Sequence, residues 1–179
     1  TTTTVIAHPK SVALKQTSYT YNKKNRKPSV TIEDTKGNKL KSGTDYTVSY
    51  PKKCKNVGRY TVTVKFKGNY QGTVKKSYQI LPKGTSLLEV TAKKKGWKKQ
   101  KTQTAGYELQ YSTNKKFKRK QTKKAVIKKT KTTTYKAKKL KANKKYYIRI
   151  RTYQNLKVNG KTKKLYSSWS KAKSIKTKK

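Results

Sequence analysis

The sequence predicts an all-β protein of two antiparallel β-sandwich domains in tandem, and three observations predict it. The first is the stretch Leu140-Lys-Ala-Asn-Lys-Lys-Tyr-Tyr-Ile-Arg-Ile-Arg-Thr-Tyr153. Tyr146, Ile148 and Ile150 fall on one side of a period-two pattern and Arg149 and Arg151 on the other, as in a half-buried strand. A leucine, a short polar turn and a tyrosine opening such a strand is the pattern of a tyrosine corner, with Tyr146 as the corner and Leu140 as its packing partner. The second observation is a series of five or six short alternating segments at regular spacing in the first half, the rhythm of a sandwich. The third is length: 179 residues is long for one small sandwich and comfortable for two of about 80 to 100 residues.

Taken in order, Thr1 to Pro9 is threonine-rich and reads as a connector or first edge strand, with its lone His8 solvated. Tyr19-Thr-Tyr21 and Pro28-Ser-Val-Thr-Ile32 alternate, and Asp34-Thr-Lys-Gly37-Asn38 is a turn. Asp45 to Tyr50 follows Ser42-Gly43, and Tyr60 to Phe66 and Val74 to Leu81 flank the turn Gly68-Asn69-Tyr70-Gln71-Gly72. Tyr19-Thr-Tyr21, Lys27-Pro-Ser-Val30, Leu40-Lys-Ser-Gly43-Thr-Asp45-Tyr46, Asn56-Val57-Gly58 and Gly68-Asn69-Tyr70-Gln71-Gly72 resemble a bacterial immunoglobulin-like repeat of Gram-positive surface and secreted proteins. One departure is Tyr50-Pro-Lys-Lys-Cys54, where such repeats carry an asparagine-rich turn. Leu81-Pro-Lys-Gly-Thr85 marks the boundary: it inverts the end of a sortase signal and no hydrophobic tail follows, so it reads as a linker. The expected organisation is a first sandwich over 1–82, a linker over 83–86 and a second sandwich over 87–179.

In the second half, Leu88-Glu-Val90 reads as a first strand, Gly106 to Ser112 as a third, the corner stretch as a sixth, and Tyr166-Ser-Ser-Trp169-Ser170 as the opening of the last. This pattern resembles a fibronectin type III module, with Trp97 and Trp169 as structural residues. It departs from that family at Lys95-Gly96-Trp97, where an alternating apolar strand is expected before the tryptophan. Either that strand is cut to a stub or residues are missing there; a sandwich lacking an inner strand exposes backbone donors that need partners. Together the two resemblances imply a spacer or stalk in an extracellular, cell-surface or wall-associated protein.

Composition limits the chemistry. Lys and Arg total 51 against 5 Asp and Glu, a formal charge of +46, with an apolar fraction of 30%. That balance resembles a disordered chain, yet the apolar residues alternate and 14 tyrosines supply large buried area. The only arginines are Arg26, Arg59, Arg119, Arg149 and Arg151. Lysine is a hydrated point charge without a planar fork, which favours diffuse attraction to a polyanion over specific reading of one. The whole acidic inventory is Glu33, Asp34, Asp45, Glu89 and Glu108, with His8 the single imidazole. No catalytic set or metal cluster assembles from these, so neither an enzyme nor a cofactor is expected. Glu33-Asp34 reads as a turn rather than a calcium site. Glu108 is expected outward, facing a lysine across the sheet. A Lys–Asn crosslink would need Asp45 or Glu108 beside it. Cys54 stands alone, as a buried thiol or an intermolecular link. No membrane span and no signal peptide are expected, and the absence of methionine suggests a processed segment.

The lysine clusters are the remaining chemistry. Lys93, Lys94, Lys95, Lys115, Lys116, Lys118, Arg119 and Lys120 are candidate polyanion contacts. Tyr147 and Tyr153, exposed beside Arg149 and Arg151, are candidates for stacking on bases or sugars. Expected partners are anionic cell-wall polymers or acidic glycans, with non-specific nucleic acid at low salt. A plain solubilising surface, a dedicated nucleic-acid or glycan module, and self-assembly through Thr1 to Ala7 are the competing readings, and the oligomeric state stays open.

Overall fold

A computed structural model describes residues 9–179; the N-terminal connector with His8 and the proposed assembling segment Thr1 to Ala7 lie outside the described residues. The chain divides into two compact units, Thr1–Ile80 and Leu81–Lys179. The described residues fold as antiparallel sheets throughout, with one short 3₁₀ turn at Arg119–Gln121.

In the first unit, β1 (Pro9–Leu14) pairs with β3 (Val30–Asp34). The other sheet runs in the order β2 (Ser18–Thr20), β6 (Thr73–Leu81), β5 (Gly58–Phe66), β4 (Tyr46–Ser49). Alternation decides which side is core: Val62, Val64 and Phe66 of β5 point inward while Thr61 and Lys65 face water. Ile32, Tyr46, Val64 and Phe66 form one cluster, and Cys54, Val62 and Tyr78 a second. Cys54 is therefore a buried thiol. Tyrosine lets so lysine-rich a chain make a core, because each ring fills volume while its hydroxyl satisfies a loop carbonyl. Tyr50 donates to Pro28 O at 2.6 Å, Tyr78 to Arg26 O at 2.7 Å and Tyr60 to Asn56 O at 2.6 Å. The Glu33-Asp34 pair opens a turn: the Asp34 carboxylate accepts the Lys36 and Asn38 N–H groups at 2.9 and 2.8 Å.

In the second unit, one sheet has the order β11 (Thr134–Tyr135), β8 (Lys95–Trp97), β7 (Leu87–Val90). The other has β10 (Thr122–Ile127), β9 (Gly106–Ser112), β12 (Lys145–Val158) and β13 (Lys161–Tyr166), with β14 (Lys173–Lys176) on the first part of β12. The core contains Leu87, Trp97, Tyr107, Leu109, Tyr146, Ile148 and Ile150, with Leu140 packed against it. Tyr146 makes its corner: the hydroxyl accepts the Lys141 N–H at 3.0 Å, five residues upstream.

The strand before Trp97 is a three-residue stub, β8, paired on both sides. Its exit is completed by loops and a side chain. Trp97 N–H bonds Thr133 O at 3.0 Å and Lys98 N–H bonds Ser86 O at 2.9 Å. The Tyr107 hydroxyl accepts Gln100 N–H at 2.8 Å and lies 3.1 Å from the carbonyls of Gln100 and Thr130.

Two expectations are corrected. The corner strand does not stop near Tyr153 but runs to Val158 and turns at Asn159-Gly160, both in the left-handed region (φ 50° and 74°), as a tight hairpin requires. Tyr166 closes β13 rather than opening the last strand, which is Lys173–Lys176.

Candidate polyanion-binding surface

The carboxylates are largely occupied within the fold. Asp34 is buried in its turn, and the Asn38 N–H foremost, with Asn38's side chain, holds its carboxyl below the usual range. Asp45 accepts the Lys41 N–H at 2.7 Å, and Glu89 lies 3.5 Å from the Lys94 ammonium at an exposed site. Glu108 corrects the sequence reading: it is 3% exposed and bonds Arg151 Nη2 at 2.7 Å, with the Tyr166 hydroxyl donating at 3.3 Å. Arg151 is its direct cross-strand neighbour, so register selects an arginine rather than a lysine.

Glu108 is buried because this outer sheet face is covered. After β13 the chain runs beside β12 and uses serine hydroxyls as strand surrogates. Ser167 N–H bonds Thr152 O and its Oγ accepts Thr152 N–H, each at 3.0 Å; Ser170 repeats the exchange with Ile150 at 2.8 and 3.1 Å. Between them Trp169 is set over the face. The Arg149 guanidinium lies 4.1 Å from the ring centres of both Phe117 and Trp169. That of Arg151 lies 4.2 Å from Trp169 and 3.6 Å from Tyr166. Cations stacked on rings in this way are held by the ring quadrupole as well as by their hydrogen bonds. Arg149 Nε and Nη2 both donate to Gln110 Oε1, at 2.9 and 2.7 Å. Burial, then the neighbouring Arg151, lowers the Arg149 pKa from its ordinary value, with Glu108 opposing.

The expected stacking site is thus rearranged. Arg149 and Arg151 are committed to this ladder. Tyr153 is 3% exposed, edge-on to Tyr166 at 6.2 Å, with the Lys164 ammonium 4.6 Å above its ring. Tyr147 is half-buried beside the Lys145 ammonium at 5.5 Å. Periodicity within one strand shows which residues leave the core, but not that Trp169 and Tyr166 return to cover them.

Among the lysine candidates, Lys93 and Lys94 are exposed between β7 and β8, and Lys115, Lys116, Lys118, Arg119 and Lys120 are exposed between β9 and β10. Lys95 is a further correction: it is fully buried in the stub strand, donates to Ala92 O at 2.7 Å, and burial lowers its pKa. One recess of about 630 Å³ gathers Lys120 with Lys123, Lys139, Lys141, Lys144 and Lys145. Lys141 to Lys145 form the polar turn of the tyrosine corner, and local pattern does not reveal that this turn faces the β9–β10 hairpin. Among the described residues, no group of three or more Cys, His, Asp or Glu side chains could hold a metal ion, and no helix is long and apolar enough to cross a membrane.

No family model matches the chain, and no curated protein matches it. Among solved structures it is similar to the chicken CNTN1 FN1-FN3 domains, at 15% identity and a TM-score of 0.42, covering 96% of this chain and 67% of that one. The assignment to β-sandwich domains rests on the sheets described above.

Proposed function

We propose that this chain is a non-catalytic spacer segment of a bacterial cell-surface or secreted protein whose basic surface associates with anionic polymers. The observation that carries the reading is the division of charge. Asp34, Asp45 and Glu108 accept hydrogen bonds within the fold and Glu89 pairs with Lys94, whereas nearly every lysine reaches solvent. The net formal charge of +46 is therefore carried almost entirely by solvent-exposed lysines, and a polyanion binding such a surface gains by releasing its counterions. The same division argues against catalysis, because the carboxylates serve turns and the arginine ladder rather than converging on a reacting group. A nucleic-acid module is the weaker alternative, since the ring of Tyr153 is covered and its neighbouring arginines are engaged.

The test is co-sedimentation with purified Gram-positive cell walls before and after chemical removal of their anionic polymers. Retention by intact walls and loss on stripping supports the proposal. Equal retention by both preparations contradicts it.

A further inference from the structure

We propose that the lysine-lined recess of the second unit is a binding seat for a flexible, base-free phosphodiester chain; the inference rests on the polyanion reading above. The recess joins two walls. Lys120 and Lys123 stand on the β9–β10 hairpin, Lys139, Lys141 and Lys144 on the connection into β12, and Lys145 at the first position of β12. No carboxylate lines it, so six ammonium groups repel one another around about 630 Å³. That volume lies within the roughly 300–1,000 Å³ of small-ligand sites. An anionic chain in the recess relieves this repulsion.

Both walls are fixed before any ligand arrives. On one, Thr177, whose side chain is buried, accepts Lys144 N–H at 2.9 Å and donates to Lys141 O at 2.7 Å. The Tyr146 hydroxyl holds Lys141 N–H, and Lys139 and Asn143 adopt left-handed φ of 57° and 52° to bend the segment. On the other, Ser112 Oγ donates to Gln121 O at 3.0 Å and Thr122 Oγ1 to Lys118 O at 2.9 Å. The lysine stems remain free to adjust while their Cα positions are set, which lowers the cost of gathering the charge at binding.

The floor selects the ligand. Tyr111 and Tyr146 are each only 7% exposed, so neither offers an open ring face on which a base or sugar ring could stack. Lysine ammoniums bind phosphate as point charges without demanding planar geometry. A thin backbone with one permanent negative charge per unit meets both conditions.

The experiment is fluorescence anisotropy of the whole chain with a labelled abasic phosphodiester oligomer of ~10 units at ~50 mM salt. Oligothymidylate of equal length is the comparison ligand. The variant Lys139→Gln/Lys141→Gln/Lys144→Gln is expected to weaken abasic binding at least about tenfold. The control Lys65→Gln/Lys75→Gln/Lys76→Gln, with the same charge loss at exposed positions of β5 and β6, is expected to weaken it less than about threefold. Because all these side chains are exposed, both variants should keep the parent's unfolding midpoint; Lys120→Gln/Lys123→Gln tests the opposite wall independently if one does not. Equal weakening by groove and control variants overturns the seat while leaving diffuse polyanion binding intact. Failure of the unmodified chain to bind either oligomer overturns the polyanion reading itself. Oligothymidylate binding about tenfold or more tighter than the abasic chain overturns the base-free assignment in favour of nucleic acid.

Discussion

Glu108 and Arg151 face each other across β9 and β12 at 2.7 Å, under a cover of Tyr166 and Trp169. Arg151 Nε has no partner there, so the guanidinium depends on Glu108 for its charge balance. The Glu108 side chain is 4% exposed and that of Arg151 23%, so removing the carboxylate leaves a partly solvated charge without its partner, at a cost of about 2 kcal/mol. Glu108→Ala is expected to lower stability by that order in urea unfolding, and Glu108→Gln by less because an acceptor remains. Equal stability of Glu108→Ala and the parent would show that the ladder holds Arg151 without its carboxylate.

Among the glycines, Gly106 is the least able to accept a side chain. A Cβ there would lie 2.1 Å from Ile127 O and 2.7 Å from the Tyr153 hydroxyl. Gly106→Ala must displace backbone as well as a ring and is expected to cost about 3 kcal/mol or more. Adding Tyr153→Ala should not restore the loss, because the Ile127 carbonyl still blocks the position. Recovery in the double variant, measured by thermal unfolding, would place the conflict in the ring alone.

The corner makes a smaller and separable contribution. Tyr146→Phe keeps the buried ring and loses only the acceptor for Lys141 N–H, so a cost of about 1 kcal/mol is expected in chemical denaturation.

Alkaline pH tests the tyrosine-built core. Burial, foremost, and then Cys54 raise the Tyr78 pKa well above its ordinary 10, and burial likewise raises Tyr111 and Tyr153. A folded-state pKa above the unfolded value gives stability that is present below about pH 10 and lost as pH rises through the folded pKa. Lys95 acts in the opposite sense, since its lowered pKa favours the fold as pH rises toward about 10.5. The unfolding midpoint should nevertheless fall above pH 10, because several tyrosines oppose one lysine. Tyr78→Phe should be less stable than the parent near pH 8 and should lose less on passing to pH 11. An unchanged slope would remove Tyr78 from this account.

The fold was readable where a single strand or turn carried its own signal. Tyr146, with Ile148 and Ile150 behind it, announced a corner and an inward face, and Asp34 to Asn38 announced a turn. The second unit's outer face was not readable, because its cover comes from Trp169 and Tyr166, distant in sequence from Arg149 and Arg151. The burial of Lys95 is hidden for a related reason: in a three-lysine run nothing local shows that a three-residue strand draws the last one inward. Asn159-Gly160 did carry a hairpin signal, and the apparent end of the alternation at Tyr153 obscured it. The groove depends on two loops meeting, which pattern along one segment does not encode.

The most direct test of the central claim is the salt dependence of binding to a polyol-phosphate polymer, to double-stranded DNA and to neutral dextran, from about 50 to 300 mM. A surface acting through its lysines predicts that both polyanions bind at low salt, that log K falls linearly with log salt for each, and that dextran does not bind. Binding of dextran, or polyanion affinity that does not change across the series, would contradict the account.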